Sequence, residues 1–337
     1  MELRRETLVS EILDPRHDFK RVAGSVEARW DPLTGHVARI VSGPRLLRAS
    51  TFDLEAFARQ TQPGCFFCTD RVENATPRWP PELLEAGRIT RGEAVGFPNI
   101  VTYHQYSAVA VYSPRRHFIP LERLTNGLIR DAVAVQIEFL RMVERHDPQA
   151  AWASINANHM LPSGSSLFHP HLQGAADPHP TTMQRLLSDV PLASFEEYLR
   201  LEAGGERDIG SSGPVRWLAS FAPVGFNEVR GLIPGRVSPV ELADDEIQAL
   251  ALGLANVLAA YADLGCQSFN LGIYGAPLSH RDYMLNLRLV ARSNLEALYR
   301  SDATYSERIH WQALVDTVPE ELSAAVRRRF SAAAGKD

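Results

Sequence analysis

The stretch Ser163–Gln173, S-G-S-S-L-F-H-P-H-L-Q, constrains this chain more than any other. Pro170 lacks the N–H that a helix interior needs and pushes the residue before it into extended geometry. In an extended segment, side chains at i, i+2 and i+4 share a face, with steps of about 6.6 Å. His169, His171 and Gln173 therefore line one wall, directly after a Gly/Ser-rich bend at Ser163–Ser166. A core strand would carry Leu, Val or Ile there. A lone buried histidine is most often a satisfied core polar group, and two can both be surface residues; what sets this pair apart is its surroundings. The bend offers free backbone N–H groups and hydroxyls to an anion. A second cluster of metal-type residues lies upstream.

That cluster begins with G-C-F-F-C, Gly64–Cys68. A C-x-x-C pair is half of a zinc site or a redox pair. Pro63-Gly64 before it and Thr69-Asp70 after it indicate a knuckle turn rather than a thioredoxin-like strand-to-helix setting, which favours zinc if two more ligands exist. The third cysteine, Cys266, leaves an odd count and no disulfide framework, the pattern of a reducing compartment. His117, at the end of the β-rich segment Gly96–Ser113, and His169, beyond the strand Trp152–Asn158, come from neighbouring strand ends and can both reach the cysteine pair. Two thiolates and two imidazoles make the closed tetrahedral, structural kind of site.

With 337 residues, 45% of them hydrophobic, the chain is long enough for two packed domains. Its net charge of −5 argues against a general nucleic-acid binder or a partner of anionic membranes. M-E-L-R-R-E-T-L has no apolar leader core, and no run approaches the roughly 18 apolar residues of a membrane helix. The protein is read as cytoplasmic. Residues 1–25 read as a helical or loose extension. A turn at Asp31–Gly35 and a strand at His36–Ser42 follow, and a long helix is expected from about Leu121 to Arg145. After a helix at Phe195–Ala203, the Gly/Ser-rich stretch Gly204–Gly213 marks the boundary between domains 26–204 and 205–330. The second half offers strands at Val215–Val224 and Glu228–Pro234. A helix capped by Asp244 or Asp245 and closed at Gly265 follows, then strands at Ser268–Tyr274 and Tyr283–Ala291. Hairpin, long helix and two strands thus occur in both halves, as a degenerate internal repeat.

Taken together, R-W-D-P-L-T-G with S-G-P-R-L-L-R, C-F-F-C, F-P-N at Phe97–Asn99, S-P-R-R-H and N-x(5)-G-x-S-x-x-H-P-H-x-Q resemble the galactose-1-phosphate uridylyltransferase branch of the histidine-triad superfamily. S-F-N-L-G-I-Y-G-A-P at Ser268–Pro277 completes the series, and the match runs from about Arg29 to Arg328. The resemblance implies an α+β fold of two histidine-triad-like domains, with antiparallel half-barrel sheets flanked by helices. It implies that His171 is the nucleophile that forms a covalent nucleotidyl-histidine, and that Cys65, Cys68, His117 and His169 hold one structural Zn2+ per chain. Gln173 and Ser166 match groups that hold phosphoryl oxygens. Asn158, Gly164, Ser165, Arg45 and Arg48 fall at phosphate-contacting positions, and Phe66 and Asn99 at nucleoside-contacting ones. The resemblance also implies a homodimer and ping-pong transfer from a nucleotide sugar or nucleoside diphosphate compound to a phosphorylated acceptor.

The departures from the family pattern are informative. Tyr274, Asn286 and Arg288 stand where histidines of a second, C-terminal metal site would, so no second metal is expected. Ile100 replaces the acid after the F-x-N asparagine, His159-Met160 replaces Lys-Gly, and Leu172 replaces a small residue. The hexose-contacting segment is not recognisable in Tyr305–Val318, which favours a smaller or different acceptor. The leading reading is a zinc-containing nucleotidyltransferase. Its alternatives are a nucleoside-diphosphate-sugar or dinucleoside-polyphosphate phosphorylase, a hydrolase, which Gln173 argues against, and a non-catalytic nucleotide-binding protein.

Overall fold

The computed structural model describes residues 1–41, 47 and 49–334. In chain order it forms β1 (Arg5–Asp14), β2 (Lys20–Trp30), β3 (Val37–Val41), α1 (Leu54–Thr61), α2 (Val72–Ala75), β4 (Ile89–Arg91), β5 (Ala94–Pro98) and β6 (Tyr106–Val111). Then come α3 (Asn126–His146), β7 (Trp152–His159), β8 (His171–Asp177), α4 (Thr182–Ser188) and α5 (Leu192–Glu202). The second half holds β9 (Asp208–Ser212), β10 (Val215–Ala219), β11 (Phe226–Ile233), α6 (Asp244–Asp263), β12 (Ser268–Tyr274) and β13 (Leu285–Arg292). The chain closes with α7 (Tyr305–Arg308), β14 (Ala313–Val315) and α8 (Pro319–Ala334).

One ten-stranded sheet runs in the order β4-β5-β6-β8-β7-β12-β13-β11-β10-β9, antiparallel throughout. Its left and right halves have the same connectivity: β4 to β8 around α3 repeat as β9 to β13 around α6. The internal repeat expected from the sequence is therefore real in topology. The halves join where β7 pairs with β12, from Phe269 opposite His159 to Tyr274 opposite Ser154. This is the expected α+β fold with antiparallel sheets flanked by helices.

Both long helices lie on one face and touch each other and the sheet. Ile129, Val133, Val135, Ile137, Leu140 and Val143 of α3 are buried in the main core, with Leu250, Leu254, Val257 and Leu258 of α6. Two glycines permit that approach. A Cβ on Gly174 of β8 would lie 2.1 Å from Gln136 of α3, and one on Gly253 of α6 would lie 2.2 Å from the Trp217 ring. Helix α3 starts five residues later than expected because Thr125 caps it, its hydroxyl accepting from the Leu128 N–H, while Leu121–Arg123 forms a separate 3-10 turn. Helix α6 has Ala243 at its cap position rather than Asp244 or Asp245, and Glu246 reaches back to the Ala243 N–H.

The reading of residues 1–25 as helical or loose is corrected. They form a long antiparallel ribbon, β1 and most of β2, joined to β3 and β14 in a four-stranded sheet. Leu8 and Ile12 sit opposite Val26 and Val22, so the ribbon has one apolar face, which only pairing creates.

The sheet face opposite the helices carries a buried ion-pair quartet in the second half. Asp31 meets Arg230 at 2.6 Å and Arg288 at 3.2 Å, and Glu228 meets Arg288 at 2.9 Å. Asp31 comes from the D-P-L-T-G turn, where its other oxygen accepts from the Leu33 and Thr34 N–H groups. Burial opposes ionisation of Asp31, but Arg230 and these N–H bonds hold its carboxyl below the usual range. Removing one partner of such a quartet leaves a buried charge uncompensated. Arg230→Met is expected to cost about 3–5 kcal/mol, read as a lower midpoint in denaturant unfolding. An unchanged midpoint would show that the quartet contributes nothing.

Candidate active site

The bend and β8 stand as the sequence predicts. Met160 and Gly164 take positive φ, 71° and 96°, around a tight 3-10 turn at Leu161–Ser163. The chain then turns back through His169 and Pro170 into β8, which inserts between β6 and β7. Leu172, Ala176 and Gly174 face α3, whereas His171 and Gln173 face the other way. Gln173 is registered with Val109 of β6 and Asn156 of β7. Continuing that register by two residues sets Asn158 opposite His171, and Asn158 is itself opposite Asn270 of β12. One row of polar side chains, His171, Asn158 and Asn270, thus crosses three adjacent strands on the open face.

His171 is buried, and its Nδ1 lies 2.9 Å from the carbonyl oxygen of His169. A carbonyl only accepts, so Nδ1 carries the proton and Nε2 keeps its lone pair. Burial lowers the imidazole's proton affinity, which the His169 carbonyl partly offsets. The ring packs edge-on against Phe67, centroids 5.3 Å apart, and Phe67 also touches Phe97 and His169.

Beside it stand the four metal-type residues. After α1, Gly64 at φ +79° begins a knuckle in which Cys65 accepts from the Cys68 N–H and Cys68 from the Arg71 and Val72 N–H groups. Cys65, Cys68, His117 and His169 are all buried, and their ligand atoms lie within 4.8 Å of one another. His169 Nδ1 is 3.6 Å from Cys65 Sγ and 3.7 Å from Cys68 Sγ, and His117 Nδ1 is 3.5 Å from Cys68 Sγ. A tetrahedral ion with sulfur at about 2.3 Å and nitrogen at about 2.0 Å needs neighbouring donors about 3.5 Å apart, so the cluster fits one. The outward nitrogens are held too: His169 Nε2 donates to the Ser113 carbonyl at 2.9 Å, and His117 Nε2 meets Thr61 Oγ1 at 3.0 Å. That support fixes both rings with Nδ1 inward. Burial, and next Cys65 beside it, push the Cys68 thiol up to about 12, while burial brings His169 down to about 4. A divalent cation bound there would stabilise thiolate ligands in this buried cluster.

The remaining sequence candidates divide. Ser166 and Gly164 are exposed on the bend, and Ser165 uses its hydroxyl on the Leu167 carbonyl at 2.6 Å. The Gln173 carboxamide has no hydrogen bond to the described residues. Asn99 accepts from the Val101 N–H at 3.1 Å, just beyond β5. Phe66 is 47% exposed beneath the Arg71 guanidinium. The aromatic against His171 is Phe67. Arg45 and Arg48 lie outside the described residues. At the second-metal positions, Arg288 is ion-paired as above and the Asn286 amide donates to the Met284 carbonyl at 2.8 Å. Asn156 and Asn270 were missed as members of the site face. The alternation S-I-N-A-N in β7 and F-N-L-G in β12 carried the signal.

Two further observations bear on the site. No helix among the described residues is long and apolar enough to cross a membrane. Cys65→Ser is expected to drop bound metal from about one ion per chain to near zero and to lower stability together, since closed sites contribute folding energy. Elemental analysis with a thermal melt checks this; full metal content in the variant would remove Cys65 from the ligand set.

Known proteins share the fold. No family model matches the chain. An uncharacterized protein of Archaeoglobus fulgidus is 31% identical over 341 residues, covering 98% of this chain and 99% of that protein. An ADP-glucose phosphorylase of Arabidopsis thaliana, crystallised with bound ADP-glucose, superposes with a TM-score of 0.66 at 18% identity over 90% of this chain and 98% of its own. A uridylyltransferase superposes with a TM-score of 0.62 at 21% identity, over 91% of this chain and 99% of its own. The chain belongs to one family with the Archaeoglobus protein, and it shares its fold with the Arabidopsis ADP-glucose phosphorylase and the uridylyltransferase.

Proposed function

We propose that the protein is a nucleotidyltransferase that works through a covalent nucleotidyl-His171 intermediate. The observation that carries this reading is the His171 ring itself: buried, with Nδ1 committed to the His169 carbonyl and Nε2 left as a nucleophile on the open sheet face. In the first step Nε2 attacks the α-phosphorus of a nucleotide sugar or related diphosphate. The P–N bond forms, the bond to the bridging oxygen breaks, and the sugar 1-phosphate leaves with the electron pair. The positive charge on the ring is stabilised through Nδ1–H by the His169 carbonyl. In the second step a phosphate oxygen of the acceptor attacks the same phosphorus and the P–N bond breaks, restoring the neutral imidazole.

Gln173 and Asn158 are the carboxamides placed to donate to the phosphoryl oxygens as charge develops, with Ser166 and the N–H groups of the bend beside them. Cys65, Cys68, His117 and His169 would hold zinc, which fixes the chain just ahead of the nucleophile and takes no part in bond making. Residues 26–204 contain all of these groups, so the division at Gly204 separates a catalytic half from a second half whose equivalent face is filled by ion pairs. The fold of the Arabidopsis ADP-glucose phosphorylase supports inorganic phosphate as an acceptor alongside a phosphorylated sugar.

Intact-mass spectrometry after separate incubation with UDP-glucose, ADP-glucose, a GDP-sugar and Ap4A tests the proposal. The expected result is an acid-labile gain equal to a uridylyl, adenylyl or guanylyl group (the nucleoside monophosphate less one water), lost on adding phosphate or a sugar 1-phosphate. His171→Asn should lower its formation by more than about a thousandfold while leaving metal content unchanged. No adduct from any donor would overturn the covalent mechanism and favour a nucleotide-binding protein.

A further inference from the structure

Beyond the motif residues, a half-buried polar relay leads from the second half of the sheet into the site. Asp302 holds the Arg292 guanidinium in a two-pronged pair, 2.7 Å at each contact, and also accepts from the Ser293 N–H at 3.1 Å. Arg292 Nη1 donates to Asn270 Oδ1. Asn270 Nδ2 is 2.6 Å from Asn158 Oδ1, 3.0 Å from the Ser163 carbonyl oxygen and 3.3 Å from the Ala157 carbonyl oxygen.

Hydrogen-bond chemistry fixes every orientation in this chain. A guanidinium only donates, so the Asn270 atom facing Arg292 must be the oxygen. Backbone carbonyls only accept, so the Asn270 atom facing Ser163 and Ala157 must be the amide nitrogen. The Asn158 atom that meets this nitrogen must then be its oxygen. What remains of Asn158, in the row with His171, is its NH2 group, a pure donor.

We propose that Asn270, oriented by Arg292, is a positioning residue that presets the Asn158 amide with its N–H groups toward the phosphoryl oxygens. It also ties down the first residue of the bend. This rests on the reading that His171 attacks phosphorus, and it adds a contribution from the second half of the sheet to a site whose chemistry lies in the first. A free asparagine can present either its oxygen or its nitrogen to an anion, and the oxygen repels it. Presetting removes that wrong state before the substrate arrives.

Single-turnover nucleotidylation in Asn270 variants tests the relay, using the donor that gives an adduct with the unaltered protein. In Asn270→Asp the new carboxylate still pairs with Arg292, but it cannot donate to Asn158. The Asn158 amide must turn its NH2 toward the carboxylate and its oxygen toward the phosphate. Adduct formation at saturating donor is expected to fall about 100-fold, the effect of losing one oxyanion donor. Donor affinity should fall as well, because the Asn158 oxygen then faces the anion, whereas metal content should hardly move. Asn270→Ala merely frees Asn158, so its rate should fall about tenfold, less than in the aspartate variant.

A purely structural role would order the two variants by stability. Positioning orders them by rate, with the alanine variant the faster whichever melts lower. If Asn270→Asp fails to fold, Asn270→Ala alone decides. Rates within threefold of the unaltered protein in the folded variants would overturn the inference while leaving the His171 mechanism standing. Absence of adduct in the unaltered protein would instead overturn that mechanism, and this inference with it.

Discussion

The pairing of β7 with β12 is the constraint on which the rest of the molecule depends. It is the seam at which two copies of one topology become a single sheet, with strands bonded on both sides and no free edge at the centre. Side chains alternate across a strand, so a slip of one residue at this seam would send Asn158 and Asn270 into the helix face and bring Ala157 and Leu271 out. The apolar set Ile155, Ala157, Leu271 and Ile273, buried beneath α3 and α6, holds the register from one side. The polar row on the other side is a consequence of that packing.

Across this seam the two halves put different chemistry on equivalent faces. The first half carries imidazoles, carboxamides and a Cys2His2 cluster, groups that can bind an ion and move a phosphoryl group. The second half closes the same surface with Asp31, Glu228, Arg230 and Arg288. Two of each charge cancel, which is the condition under which charges tolerate burial. Asp31 comes from the turn between β2 and β3, so the N-terminal strands are anchored to the far half of the sheet. The two faces are thus built from one plan with different side chains.

How much of this was legible depended on the range of the interaction. His169, His171 and Gln173 were placed on one face by Pro170 and the two-residue period, both local effects. Helix α6 and strand β12 likewise declared themselves through apolar spacing and turn residues. The ribbon at the N-terminus did not, because Leu8 and Ile12 form an apolar face only when Val26 and Val22 lie across from them. That Phe67 packs on His171 was equally hidden, since the knuckle's rotation sets where its ring points.

The sequence by itself determined the two-histidine strand, the four metal-type residues, the repeated order of strands and helices, and the resemblance that joins them. These follow from periods, turn formers and motifs that neighbouring residues enforce on one another. Only the tertiary structure decided that the Cys65 and Cys68 thiols meet His117 and His169 at ligand spacing, and that Arg292 and Asn270 reach Asn158. Those contacts join residues from 22 to 112 positions apart. Their geometry is set by sheet register and helix packing, long-range quantities that no local pattern of residues encodes.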